Sequence, residues 1–209
     1  MDVDALQRWI RLFAQLVKRH RDQLTQLDSA IGDADHGTNM DRGMTAAVVT
    51  LDGTEPATAA ALFKQVGMTL VSTVGGASGP LYGTLFLRMA SAAGDAEALN
   101  PGEFAKVLRA GLDGVVARGK AEAGDKTMYD ALSPAVDALD AEVAKGSALS
   151  AALSAASAAA DAGRDATTPM LARKGRASYL GERSVGHQDP GATSVALFVA
   201  AAAAAVDES

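Results

Sequence analysis

An all-α fold of eight helices is the architecture that the sequence predicts. Three observations carry it. Almost every long segment places apolar residues at i, i+3, i+4 and i+7, the stripe of a helix facing a core. No stretch alternates apolar and polar residues with the β-branched enrichment of a strand. The alanine-rich tracts at 147–163 and 198–206 read as helix faces where backbones approach closely, since interspersed Leu, Val and Phe set them apart from a disordered tail. With 209 residues, no domain linker and no clean internal repeat, the chain reads as one domain over 1–209. A fold of that length buries roughly 70% of its unfolded surface and needs no staple.

The elements follow in order. Leu6, Trp9, Ile10, Phe13, Leu16 and Val17 form the first apolar stripe. Helices are expected near 39–50, 57–73 and 80–93. Phe104, Val107, Leu108, Leu112, Val115 and Val116 form the next stripe, and Met128, Leu132, Val136, Leu139 and Val143 the one after. Helices near 148–163 and 192–206 complete the eight. Glycine and polar residues break the period at 27–38, 72–79 and 172–191, with a smaller break at 119–127. Long aperiodic connections in a helical protein are usually functional, so function is sought there.

Composition excludes several classes. The chain has no cysteine, hence no disulfide and no thiolate metal site, which fits a reducing compartment. A formal charge of −6 argues against nucleic-acid binding, which needs a basic stripe. The N-terminal residues mix charge with apolar side chains, unlike a signal peptide or an anchor. The most apolar run, VALFVAAAAAAV, is too short to span a bilayer. A soluble, cytoplasmic protein is the expectation.

The first loop, LDSAIGDADHG, crowds Asp28, Asp33 and Asp35 into eight positions with no basic residue between them. Two carboxylates about 4 Å apart repel by ~4 kcal/mol at an effective dielectric near 20. A hard divalent cation removes that repulsion, and oxygen-only ligands point to Mg²⁺ or Ca²⁺ over zinc. Gly32 and Gly37 would permit the backbone angles such a turn needs. The plainer alternative is a solvated acidic turn in which Asp35 or Thr38 caps the next helix. Spacing alone does not separate the two.

The second loop, STVGGASGPLYG, strips side chains from the backbone at Gly75, Gly76 and Gly79 and places Pro80 where it suits a first helical turn. Bare amides at a helix start favour an anion such as phosphate. No Lys-Ser/Thr follows, so this is no Walker A loop, and a bound phosphate would need another source of charge neutralisation. Magnesium on the three aspartates would supply it. The plainer reading of Gly75 or Gly76 is tight helix packing.

In the remaining loops, Asp125 or Thr127 suits a helix N-cap, and Met128 suits either the core or the face of a planar base. Arg173, Lys174, Arg176 and Arg183 would clamp phosphates, dock an acidic partner or solvate a lid. His36 and His187 lie in Asp- and Gly-rich loops and not on apolar faces, which speaks against a buried structural role. No acid, base or nucleophile stands out, so no catalytic side chain is assigned.

Four blocks, LDSAIGDADHGTNMDRG, VGGASGPLYGTLF, DGVVARGKAEAGDKTMYDAL and ARKGRASYLGERSVGHQDPGATS, and their order resemble the L subunits of phosphotransferase-dependent dihydroxyacetone kinases over essentially the whole chain. The same module forms the C-terminal domain of the ATP-dependent kinases. The resemblance implies an all-helical, up-and-down barrel of eight antiparallel helices with a nucleotide among the loops at one end. By resemblance, Asp28, Asp33 and Asp35 hold two Mg²⁺ ions. His36, Gly37, Thr38 and Asn39 meet the phosphates, and Ala77, Ser78, Gly119, Met128, Arg176, Asp189, Pro190 and Gly191 supply further contacts, with Gly119 and Met128 at the base. The loop at 172–191 is a lid in such proteins.

The implied mechanism keeps ADP tightly bound as a coenzyme. A phosphotransferase M subunit rephosphorylates it in place, and the resulting ATP passes its γ-phosphoryl to dihydroxyacetone held on a K subunit. The resemblance leaves room for a homodimer. Two alternatives stand beside it: an ATP-dependent kinase module with exchangeable nucleotide, and a non-catalytic nucleotide sensor. A chain of 209 residues without a substrate domain disfavours the first of these.

Overall fold

A computed structural model describes residues 1–207, and all regular structure among them is helical. Nine α-helices are present: α1 (Val3–Arg19), α2 (Arg21–Ile31), α3 (His36–Asp52), α4 (Ala59–Thr73), α5 (Ser78–Ala93), α6 (Pro101–Gly119), α7 (Tyr129–Ala144), α8 (Leu149–Ala166) and α9 (Pro190–Asp207). A 3-10 segment, Arg176–Ser184, broken at Gly181, joins α8 to α9. The expected eight helices are all found, and α2 is the addition. The chain turns between α1 and α2 at His20 (φ −100°, ψ 11°), whose N–H still bonds the Leu16 carbonyl at 2.9 Å. No glycine or proline marks that turn, so composition does not announce it.

Local chemistry sets several helix starts. The Asp2 side chain caps α1 through the Ala5 N–H, and Thr58 caps α4 through the Ala61 N–H. Asn100 and Glu103 form a reciprocal capping box on α6, with Pro101 in the first turn. These contacts satisfy amides that the helix itself leaves unpaired.

Helices α3 to α9 each pack on the next, and both α9 and α3 pack on α1. The interior between them is aromatic. Trp9 has Phe198, Phe104 and Phe63 at ring-centroid distances of 4.7, 5.6 and 6.2 Å, and its indole N–H donates to the Phe198 carbonyl at 2.9 Å. Phe86 of α5 joins through Phe63 and Phe198, so five elements, α1, α4, α5, α6 and α9, meet in that cluster. The alanine tracts do pack: Ala152, Ala156 and Ala160 of α8 and Ala201, Ala202 and Ala205 of α9 are buried. A second, small apolar cluster of Ile31, Ala172 and Ala177 lies apart from the main core and ties α2 to residues 171–187. Among the described residues, no helix is long and apolar enough to cross a membrane.

Candidate functional site

Loops from both halves of the chain surround one cavity of about 510 Å³, a size ordinary for a small-molecule site. The N-terminal residues of α3, α5 and α9 (His36, Ser78 and Pro190) all line it, as does Met128 immediately before α7. Helix starts carry partial positive charge and unpaired amides, so this grouping suits an anion. No side chain caps the start of α5. Pro80, in its first turn, has no N–H to satisfy.

Asp28 occupies the last turn of α2 and is buried. One of its oxygens, Oδ2, accepts the backbone N–H of Asp35 at 2.8 Å and of His36 at 3.1 Å. The start of α3 is therefore capped from α2. Asp35 stands at the N-cap position and makes no side-chain cap, so the acidic turn is not explained by helix capping from Asp35. Gly32 makes the arrangement possible: a Cβ there would lie 2.0 Å from Asp28 Oδ1 and 2.9 Å from its Cγ. Ala34 takes a left-handed backbone (φ 63°), a conformation that costs a non-glycine residue free energy.

Asp28, Asp33 and Asp35 each place one carboxylate oxygen within 4.8 Å of the others. That donor set is all oxygen and acidic, which suits a hard divalent cation. Arg176, from the 3-10 segment, reaches across to Asp33 with Nε–Oδ2 at 2.9 Å. The pair is solvent-exposed (69% and 36% of the side chains) and contributes little to stability. Lys174, Gly175, Arg176 and Ala177 line the cavity, so the strap formed by residues 171–187 borders the acidic turn through this stretch.

His36 is buried, contrary to the expectation from its loop composition. Its Nδ1 and Nε2 lie 3.0 Å from the hydroxyls of Ser78 and Ser194. The Ser194 O–H donates to the Gly191 carbonyl at 3.0 Å, so its oxygen accepts from Tyr82 OH at 2.7 Å and from His36 Nε2–H. Burial pulls His36 below its ordinary pKa, against Asp28 and Asp35, which leaves a neutral ring accepting the Ser78 hydroxyl at Nδ1. His187 is exposed and stands outside this network.

Asp189 caps α9 by accepting the Ala192 N–H at 2.7 Å. Burial raises its pKa to about 7, against that hydrogen bond, while Asp130 pushes it further up. Sequence reasoning overlooked Asp130. Its two oxygens accept the N–H of Gly124 at 2.6 Å and of Thr127 at 2.8 Å, shaping the 119–128 loop. Of the two residues expected as a helix cap, Asp125 instead accepts the Glu122 N–H at 2.8 Å within that loop, while Thr127 Oγ1 accepts the Tyr129 N–H at 3.1 Å at the start of α7. Lys126 was overlooked as well and is the most buried cation, at 1% exposure. Burial draws its pKa below the ordinary lysine range, opposed by the charge of Asp189. An acidic residue four past a Gly-Asp-Lys turn is a weak sequence signal, which explains the omission.

Most of the residues singled out from the sequence come together. Asp28, Asp33, Asp35, His36, Ala77, Ser78, Gly119, Met128, Arg176, Asp189, Pro190 and Gly191 all line the cavity. Gly37, Thr38 and Asn39 are not in its wall. A Cβ on Gly37 would lie 2.0 Å from the Arg21 carbonyl, so this glycine allows α3 to approach α2. Thr38 is exposed, and Asn39 is buried against Gly75, whose added Cβ would sit 2.9 Å from its amide. Gly76, in contrast, has φ 63° and open space around it, the position where glycine is needed for the turn.

The DAK2 domain profile matches residues 30–204. The chain is 46% identical over 197 residues to the ADP-binding subunit DhaL of PEP-dependent dihydroxyacetone kinase 1 of Listeria innocua, covering 94% of this chain and 93% of that one. It is 46% identical over 200 residues to the ADP-binding subunit DhaL of the PEP-dependent dihydroxyacetone kinase of Escherichia coli, covering 96% and 95%. In structure it is similar to the dihydroxyacetone kinase of C. freundii in complex with AMP-PNP and Mg²⁺, with a TM-score of 0.73 and 26% identity. That match covers 94% of this chain and 33% of the C. freundii enzyme, so the chain spans about a third of it.

Proposed function

The chain belongs to the DAK2 domain family, and on that premise we propose that it is the ADP-binding subunit of a phosphoenolpyruvate-dependent dihydroxyacetone kinase, the role its L. innocua and E. coli relatives are named for. Bound in the cavity, ADP and two Mg²⁺ would supply a relay of phosphoryl groups from a phosphotransferase M subunit to dihydroxyacetone on a K subunit, together with charge neutralisation. The carrying observation is the convergence of three carboxylates and three helix starts on one cavity. Neither feature alone would hold a diphosphate: the carboxylates repel it, and the amides lack a full positive charge.

In this reading Asp28, Asp33 and Asp35 hold the metal, and Asp28 also keeps α3 in place through the Asp35 and His36 amides. Ala77 and Ser78, at the uncapped start of α5, offer backbone amides to the phosphates. His36, neutral and held by Ser194, orients the Ser78 hydroxyl. Gly119, Met128, Asp189, Pro190 and Gly191 bound the remainder of the nucleotide, while Gly37, Thr38 and Asn39 act through the placement of α3. Arg176 and the strap exclude water and bring a guanidinium to the metal side. No general base is required of this chain, because phosphoryl transfer depends mainly on positioning and electrostatics.

Reconstitution tests the reading. The purified chain, K and M subunits, phosphoenolpyruvate and dihydroxyacetone should form dihydroxyacetone phosphate without added ATP, with ADP identified in the purified protein by mass spectrometry. Strict dependence on added ATP would point to an exchanging kinase module, and no flux under either condition to a sensor.

A further inference from the structure

Lys126 is nearly inaccessible, and its backbone lies in the left-handed region (φ 63°), where a non-glycine residue is strained. The side chain is spent on backbone groups. Its ammonium donates to the carbonyls of Thr167 at 2.8 Å, Thr168 at 3.3 Å and Met170 at 3.1 Å, and also to that of His187. Three N–H donors are thus shared among four acceptors, leaving none for a phosphate. The four acceptors are not scattered. Thr167 and Thr168 follow α8 directly and Met170 immediately precedes the strap, while His187 closes it just before α9.

We propose that Lys126 is a positioning residue of the nucleotide site: it pins both roots of the strap, so that Arg176 arrives at Asp33 and Gly191 at the cavity wall. Two backbone bonds run beside the pin. The Arg173 N–H donates to the Asp125 carbonyl at 3.0 Å, and the Gly186 N–H to the Thr168 carbonyl at 2.8 Å. The Asp189 N–H, donating to Thr167 Oγ1 at 3.0 Å, passes the same restraint to the start of α9. Between its roots the strap is held down by the small Ile31, Ala172 and Ala177 cluster and by the exposed Arg176–Asp33 pair. A hydrogen bond to a charged group contributes more than a neutral one, so the buried ammonium dominates this anchoring. The lysine absent from the glycine loop is therefore not replaced here by a phosphate-binding lysine, since this one serves the backbone.

The inference rests on the nucleotide reading for its consequence, but its test does not. Trypsin cuts after Arg173, Lys174, Arg176 and Arg183, all within the strap. In the metal- and nucleotide-stripped full chain, Lys126→Met should speed cleavage at these sites by roughly tenfold or more relative to sites in the helices. Lys126→Arg should restore most of the difference, and circular dichroism should report unchanged helix. With Mg²⁺ present, ADP should leave Lys126→Met roughly tenfold faster than wild type. A folded Lys126→Met with wild-type strap cleavage overturns the proposal. If that variant does not fold, hydrogen exchange in the wild-type chain decides: the Arg173 and Gly186 amides must exchange far more slowly than that of Tyr179, and equal rates overturn it. Failure of wild type to bind ADP would instead sink the nucleotide reading and leave the strap result standing.

Discussion

Replacing Gly32 by alanine strikes the tightest point of the acidic turn. The new Cβ would stand 2.0 Å from Asp28 Oδ1 and 3.0 Å from the Asp28 carbonyl oxygen. A free carboxylate would rotate away at little cost, but this one accepts two amides through Oδ2, at 2.8 and 3.1 Å. Moving it forfeits both hydrogen bonds, each worth about 1.5–3 kcal/mol when one partner is charged. Water at the half-open turn recovers part of that, and the stiffer unfolded chain of an alanine variant returns about 0.4–1 kcal/mol. A net loss of roughly 2–4 kcal/mol follows, or a melting point lower by roughly 5–15 °C for a chain of this size. The same displacement removes Asp28 from the metal set, so affinity for Mn²⁺, used as a reporter for Mg²⁺, should fall at least about tenfold. Calorimetric melting and Mn²⁺ titration measure the two effects. A variant that melts within ~2 °C of wild type and binds Mn²⁺ equally well refutes the coupling of cap and metal site.

Asp33→Asn should leave the helical signal and melting point nearly unchanged, because its ion pair with Arg176 is exposed and weak. It should abolish Mg²⁺-dependent retention of ADP through gel filtration, as EDTA should in wild type; full retention in either case counts against the metal assignment. For Asp189 the sign is opposite to that of a paired carboxylate. Its folded pKa near 7 exceeds the ordinary 3.8, so its stabilising contribution is complete below pH 3.8 and is lost as pH rises through 7. Asp189→Asn keeps an acceptor for the Ala192 N–H without that titration. Urea denaturation should therefore show wild type losing up to roughly 4 kcal/mol relative to the variant between pH 4 and 8, and a pH-independent difference would refute it.

Much of this molecule is legible in its sequence because helices are local. A period of 3.6 residues acts within one or two turns, and it places eight helices with ends off by a few residues. The α1–α2 break at His20 escapes that reading, since no glycine or proline stands there. The acidic and glycine-rich loops also declare themselves, because like charges and bare backbone are costly without a ligand. What only the tertiary structure decides is which groups meet: His36 with Ser194, 158 positions away, and Lys126 with the carbonyls of Thr167 and His187, 41 and 61 away. Those contacts are made by side chains whose partners are backbone groups or hydroxyls that every sequence contains, so their identity depends on how the helices bring distant loops to one end and not on any pattern along the chain.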